Sequence, residues 1–146
     1  MGKTPNILIL SEAMELRFFL ETVLTEAHYR TTSVVNMEKA LAQIIRDTPA
    51  MVIIDVMMSG RQGITMYRQL RRHEKYKFIP VIMLSTLAKE AFFQLHNIEY
   101  SLPKKGLPKP DGYLPKPPEA EELIETIKKI FKDQSTLDSK GKKSCN

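Results

Sequence analysis

MVIIDVMMSGRQGITMYRQLR, residues 51–71, holds an apolar run that ends on an acid, a short link containing Gly60 and Gly63, and then apolar residues at helical spacing. Met51 to Ile54 is continuous rather than alternating, the pattern of a strand covered on both faces. Ile64, Tyr67 and Leu70 recur at every third position and mark one face of a helix. A strand buried on both sides that hands over directly to a helix is the repeating unit of a parallel sheet, because parallel neighbours need a crossover between them.

The same unit recurs on either side. Ile7 to Leu10 and Val81 to Leu84 are further continuous apolar runs, and Tyr29 to Val35 is a β-branched run read in the same way as a buried strand. Between them lie helical patterns: Leu16, Phe19, Leu20, Val23, Leu24 and Ala27, then Ala40, Leu41, Ile44 and Ile45. Asn36 is placed to cap the second helix, and Gly63 is read as a break before the third. The last helix has Pro118 near its first turn, Glu119, Glu121 and Glu122 early, and Lys128, Lys129 and Lys132 late. Its apolar face is Leu123, Ile124, Ile127, Ile130 and Phe131. Five strands and about five helices in strict alternation predict an α/β domain with a doubly wound parallel sheet.

A chain of 146 residues, 42% of them hydrophobic, can build a core without disulfides or a structural metal. Residues 1–132 are read as one domain, and 133–146 as a polar tail expected to be disordered. The single cysteine, Cys145, excludes a disulfide framework within the chain and fits a reducing, cytoplasmic setting. No stretch approaches the ~18 apolar residues of a membrane span. The net charge of +5 is spread over loops and the tail lysines Lys140, Lys142 and Lys143, without the aromatic-interleaved basic stripe of a nucleic-acid binder.

In doubly wound sheets the ligand site lies beyond the carboxyl ends of the strands. The residues expected there are Ser11 and Glu12, Asp55, Ser85 and Thr86, and Lys116. A pair of carboxylates can hold a hard cation such as Mg²⁺, an aspartate can attack phosphorus, and hydroxyl and ammonium groups can steady the transferred oxygens. Taken singly, each residue has a plainer role: Asp55 or Glu12 as a cap, Lys116 as an exposed loop residue. Their coincidence at successive strand ends favours chemistry over capping.

At these positions the chain resembles the response-regulator receiver family of two-component signalling, over about residues 5–132. MVIIDVMMSGRQGITMYRQLR resembles the phosphoacceptor strand, loop and third helix; PVIMLS resembles the fourth strand; GYLPKPPEAEELIETIKKIF resembles the fifth strand, a lysine–proline pair and the last helix. The resemblance implies flavodoxin-like strand order 2-1-3-4-5, with a shortened or remodelled fourth helix here. It implies a signalling module rather than an enzyme, with Asp55 as phosphoacceptor and Lys116 touching the phosphoryl group. Ser85, or Thr86 beside it, would supply the hydroxyl. The Lys116–Pro117 peptide is expected to be cis, and the rotamer of Tyr113 to follow phosphorylation. Glu12, Asp55 and the Met57 carbonyl would hold Mg²⁺. The implied partners are a histidine kinase or phosphotransfer protein and a downstream protein target.

Three features depart from the family pattern. ILILSEA carries Ser11 where an acid is usual, so Mg²⁺ binding is expected to be weak. The link Leu87–Gly112 is long and proline-rich, with only Ala88 to His96 looking helical. LPKP occurs twice, so Lys109 competes with Lys116, and Lys116 is preferred because a helix follows it. Beyond Phe131 nothing reads as an output domain, so signalling through a partner is expected. His28, His73 and His96 are widely spaced and read as structural or surface residues. Two other readings stand beside the receiver: a pseudo-receiver that docks partners without phosphorylation, and a flavodoxin-like cofactor binder, which SEAMEL after the first strand does not favour.

Overall fold

The computed structural model describes residues 4–96, 98–99 and 107–145. Five parallel strands form the main sheet: β1 (Asn6–Leu10), β2 (Arg30–Val34), β3 (Met51–Asp55), β4 (Val81–Ser85) and β7 (Gly112–Pro115). The sheet is doubly wound, as the alternating pattern predicts, and its order β2-β1-β3-β4-β7 is the 2-1-3-4-5 order that the resemblance implies. The helices are α1 (Met14–Glu26), α2 (Met37–Arg46), α3 (Gln62–Arg72), α4 (Lys89–Leu95) and α5 (Ala120–Cys145).

Successive strand residues point to opposite faces of the sheet, and this alternation divides the core. Leu8, Leu10, Val52, Ile54 and Met83 face one side and pack with Ala40 and Ile44 of α2, Tyr67 and Leu70 of α3, and Phe92 of α4. Ile7, Ile9, Ile53, Ile82 and Leu84 face the other and pack with Leu16, Leu20 and Leu24 of α1 and Leu123 and Ile127 of α5. The continuous apolar runs therefore mean what they suggest: both faces are covered. β2 departs from that reading. It lies at the sheet edge and is at best half-buried, because one side pairs with β1 and, among the described residues, the other has no strand beside it.

Local signals account for most helix boundaries. The Asn36 side chain accepts a hydrogen bond from the Lys39 N–H at 2.8 Å, as expected of a cap. Gly63 does not break the chain before α3; it lies inside the first turn of that helix. A Cβ there would come within 2.8 Å of both the Asp55 carbonyl oxygen and the Val56 Cα, so only glycine lets α3 start so close to the end of β3. The left-handed turn that precedes it is made by Gly60 and Arg61. The last helix runs on to Cys145, where a polar tail beginning at residue 133 is expected. Helix propagation is easier than nucleation, and the packed turn around Leu123 and Ile127 nucleates a segment with no proline after Pro118.

The long link before β7 contains α4, close to its expected extent, and then two two-residue strands. β5 (Ile98–Glu99) and β6 (Leu107–Pro108) pair in parallel and form a small second sheet. The expected proline-rich loop therefore includes a pair of short strands; residues 97 and 100–106 of it lie outside the described residues. Side chains of α3 anchor the region between β6 and β7. Tyr67 donates from its hydroxyl to the Pro108 carbonyl at 2.6 Å, and Arg71 donates to Asp111 at 2.9 Å and to the Ile79 carbonyl at 2.8 Å. Asp111 in turn accepts from the Val81 N–H at 2.9 Å, which ties the segment to the start of β4.

Two substitutions test these contacts. Gly63→Ala is expected to cost about 1–3 kcal/mol in urea denaturation, since the new methyl meets backbone rather than a movable side chain. Tyr67→Phe is expected to cost about 1 kcal/mol and to speed amide exchange in β7. An unchanged denaturation midpoint in either variant contradicts the corresponding contact.

Candidate functional site

Parallel register brings the site together. Leu10 of β1 pairs with Ile54 of β3, so the next residues, Ser11 and Asp55, emerge side by side. Asp55 pairs with Leu84, and Ser85 pairs with Pro115, so Asp55, Ser85 and Lys116 step across three neighbouring strands at their carboxyl ends. The Lys116 N–H donates to the Ser85 carbonyl at 3.1 Å, and the Lys116–Pro117 peptide is cis, as expected. Lys116 is thus the lysine at the strand ends; Lys109 lies in the strap between β6 and β7.

Asp55 is 3% exposed and its carboxylate is surrounded by donors. Ser11 Oγ donates to Oδ2 at 2.8 Å, the Met57 N–H donates to Oδ1 at 3.0 Å, and Lys116 Nζ lies 3.0 Å from both oxygens. Ser11 is itself fully buried, and its Oγ accepts from the Ala13 N–H at 3.0 Å. Its carbonyl accepts from Arg17 Nη1 at 2.7 Å, which brings a second positive charge to the loop. An ionised carboxylate taken out of water needs such compensation, because burial penalises its charged form.

Ser85 and Thr86 are separated by burial. Ser85 is 1% exposed, donates to Met57 Sδ at 3.5 Å and accepts from the Leu87 N–H at 3.0 Å, whereas Thr86 is exposed. The buried hydroxyl therefore adjoins the Asp55 loop through Met57. Tyr113 is half-buried, with its ring 5.6 Å from Phe92 and 5.4 Å from Phe93, and its hydroxyl donates to the Leu87 carbonyl at 3.0 Å. Burial pushes the Tyr113 phenol above its ordinary pKa, partly offset by a hydrogen bond with Ser85.

Glu12 is brought to the same end of the sheet but engages Ser59. Its Oε1 accepts from the Ser59 N–H at 3.0 Å and its Oε2 from Ser59 Oγ at 2.5 Å. These bonds, the side-chain one first, hold the Glu12 carboxyl below the usual glutamate range. For Mg²⁺ the expected donors are Glu12, Asp55 and the Met57 carbonyl. Each carboxylate oxygen of both acids already accepts from an N–H, O–H or ammonium donor, so a cation would have to compete with the protons held there. Among the described residues no group of three or more His, Cys, Asp and Glu side chains converges. In this arrangement the donor set is a poor fit for a divalent cation.

Sequence reading misses Ser59 and Arg17. Neither carries a local signal, because Ser59 meets Glu12 across 47 positions of chain and Arg17 acts on a backbone carbonyl. His73 stacks on Tyr76, and the His96 ring lies tilted against Phe92. A groove of about 620 Å³ lined by Arg71, Phe78, Pro80, Pro108 and Asp111 lies apart from Asp55 and shares no residue with this site.

With this geometry in view, the likeness to known proteins is consistent across sequence and fold. The chain is 29% identical over 141 residues to the phosphate regulon transcriptional regulatory protein PhoB of Pseudomonas aeruginosa, covering 97% of this chain and 57% of that one. It is 28% identical to the transcriptional regulatory protein GltR of the same organism, covering 87% and 49%. The chain thus spans about half the length of these curated relatives. The receiver domain of a Francisella response regulator superposes with a TM-score of 0.71 at 28% identity, covering 90% of this chain and 99% of that one. The chemotaxis response regulator CheY4 of Vibrio cholerae shares the fold, with a TM-score of 0.72 at 23% identity and coverage of 88% and 99%. Residues 7–128 match the response regulator receiver domain, and with the strand order and the Asp55 site this places the chain in that family.

Proposed function

We propose that this receiver domain accepts a phosphoryl group on Asp55 and passes the signal to a partner protein. The observation that carries the reading is the pairing of Lys116 Nζ with both Asp55 oxygens at 3.0 Å, at the strand ends where the doubly wound fold places its chemistry. The donor would be the phosphohistidine of a histidine kinase or phosphotransfer protein in the cytoplasm. One Asp55 oxygen attacks phosphorus; the P–N bond breaks, and its electron pair stays on the donor imidazole, which takes up a proton from solvent. Lys116 and the buried Ser85 hydroxyl then steady the phosphoryl oxygens by position and charge. Receiver domains generally bind Mg²⁺ in an acidic pocket. Here Glu12 is the remaining acid beside Asp55 and is already engaged by Ser59, which supports weak cation binding at most.

Tyr113 is the proposed reporter of phosphorylation. Its hydroxyl holds the Leu87 carbonyl next to Ser85, so a phosphoryl group drawing on Ser85 would disturb that contact. The neighbouring strap of β6 and β7, pinned by Tyr67 and Arg71, gives this side of the domain a surface of its own for partner choice.

A second reading is favoured by the saturation of Asp55. With Ser11, Met57 and Lys116 all donating to it, the site is satisfied without phosphate and is compatible with a pseudo-receiver that docks partners unphosphorylated. Labelling with acetyl phosphate, read as the intact-mass gain of one phosphoryl group, separates the two. The phosphoacceptor reading predicts labelling that is abolished in Asp55→Asn and slowed about 10²-fold in Lys116→Ala. Absence of labelling at every Mg²⁺ concentration contradicts it and leaves the pseudo-receiver.

A further inference from the structure

Glu12 belongs to the link between β1 and α1, and Ser59 to the link between β3 and α3. These two loops frame Asp55. A divalent cation seated between them would hold them together by taking oxygens from each. In this protein that bridge is made by hydrogen bonds: Glu12 Oε1 on the Ser59 N–H at 3.0 Å and Glu12 Oε2 on Ser59 Oγ at 2.5 Å. Beside it, the fully buried Ser11 places a hydroxyl proton on Asp55 Oδ2 at 2.8 Å, where a second acid would have offered a ligand oxygen. The positive charge is also supplied from within, by Lys116 on both Asp55 oxygens and by Arg17 on the Ser11 carbonyl at 2.7 Å.

We infer that Glu12 and Ser59 form a built-in clamp that takes the place of a divalent cation in closing the Asp55 site, so that the site is assembled without metal. Glu12 is then a positioning residue that acts through the β3–α3 link and not a metal ligand. The chemical logic is one of substitution. A cation attracts lone pairs and repels protons, whereas every carboxylate oxygen here is already matched to a proton donor. The inference does not depend on phosphotransfer. It applies equally to a phosphoacceptor and to a docking module, and its test is read in the unphosphorylated protein.

Paramagnetic Mn²⁺ provides the probe, with Mg²⁺ as competitor and the amide signals of Met57 and Ser59 as the readout. In the wild type no saturable, Mg²⁺-competed broadening is expected at these amides. Ser59→Ala frees Glu12 Oε2, while Oε1 stays on the backbone N–H of residue 59, and is expected to introduce such broadening, with an apparent affinity on the order of tenfold above the limit set by the wild type, the scale on which groups one step from a metal act. Ser11→Asp adds a ligand acid and is expected to raise it further; because it places a charge in a buried position, Ser59→Ala at the exposed loop decides the matter if Ser11→Asp does not fold. Saturable, Mg²⁺-competed broadening in the wild type overturns the inference. So does its absence from wild type and Ser59→Ala alike, since the clamp would then not be what keeps a cation out. Failure of the acetyl phosphate labelling, by contrast, bears only on the phosphoacceptor reading.

Discussion

The contact between the Asp55 carboxylate and the Lys116 ammonium is the constraint around which this domain is arranged. The Asp55 side chain is 4% exposed and that of Lys116 23%, so the acid is nearly withdrawn from water while the lysine keeps part of its hydration. A pair of this kind contributes little net stability, on the order of 1 kcal/mol, because desolvation offsets attraction. Removing one partner is different: a nearly buried carboxylate without its cation costs about 3 kcal/mol or more. The pair therefore acts as a geometric requirement. β3, β4 and β7 must end in register for Asp55, Ser85 and Lys116 to meet, and parallel pairing supplies that register.

Much of this is legible in the order of residues alone. Continuous apolar runs identify the buried strands, and the residues at their ends form the site, because in a parallel sheet the end of a run is also the edge of the sheet. The burial of β2 is overestimated from its composition, since a β-branched run looks the same in an edge strand as in a central one. Gly63 is visible as special for the wrong reason: local reading assigns glycine to breaks, whereas the requirement here is close approach of α3 to the Asp55 and Val56 backbone. The β5–β6 pair is not legible, because two-residue strands, one of them ending in a proline, have no periodicity to detect. The extent of α5 depends on propagation from a packed turn, which composition after residue 132 does not reveal.

The replacement of an acid by Ser11 reorganises the site more than a change of one charge suggests. A serine both gives and receives a proton, and Ser11 uses both capacities, donating to Asp55 and accepting from the Ala13 N–H. It thereby joins the start of α1 to the acceptor carboxylate. Arg17, one turn along α1, reinforces the same loop through the Ser11 carbonyl. Membership of the receiver family explains the fold and the positions of Asp55 and Lys116. The donors around them, Ser11, Arg17 and Ser59, set how the site is held.

The most direct test of the central contact is a double-mutant cycle on folding stability, with Asp55→Asn, Lys116→Met and the double variant measured by urea denaturation. Coupling of about 1–3 kcal/mol between the two positions is predicted, with the double variant more stable than the sum of the single losses implies. Additivity within about 0.5 kcal/mol would contradict the account, because it would mean that Asp55 and Lys116 do not depend on each other in the folded protein.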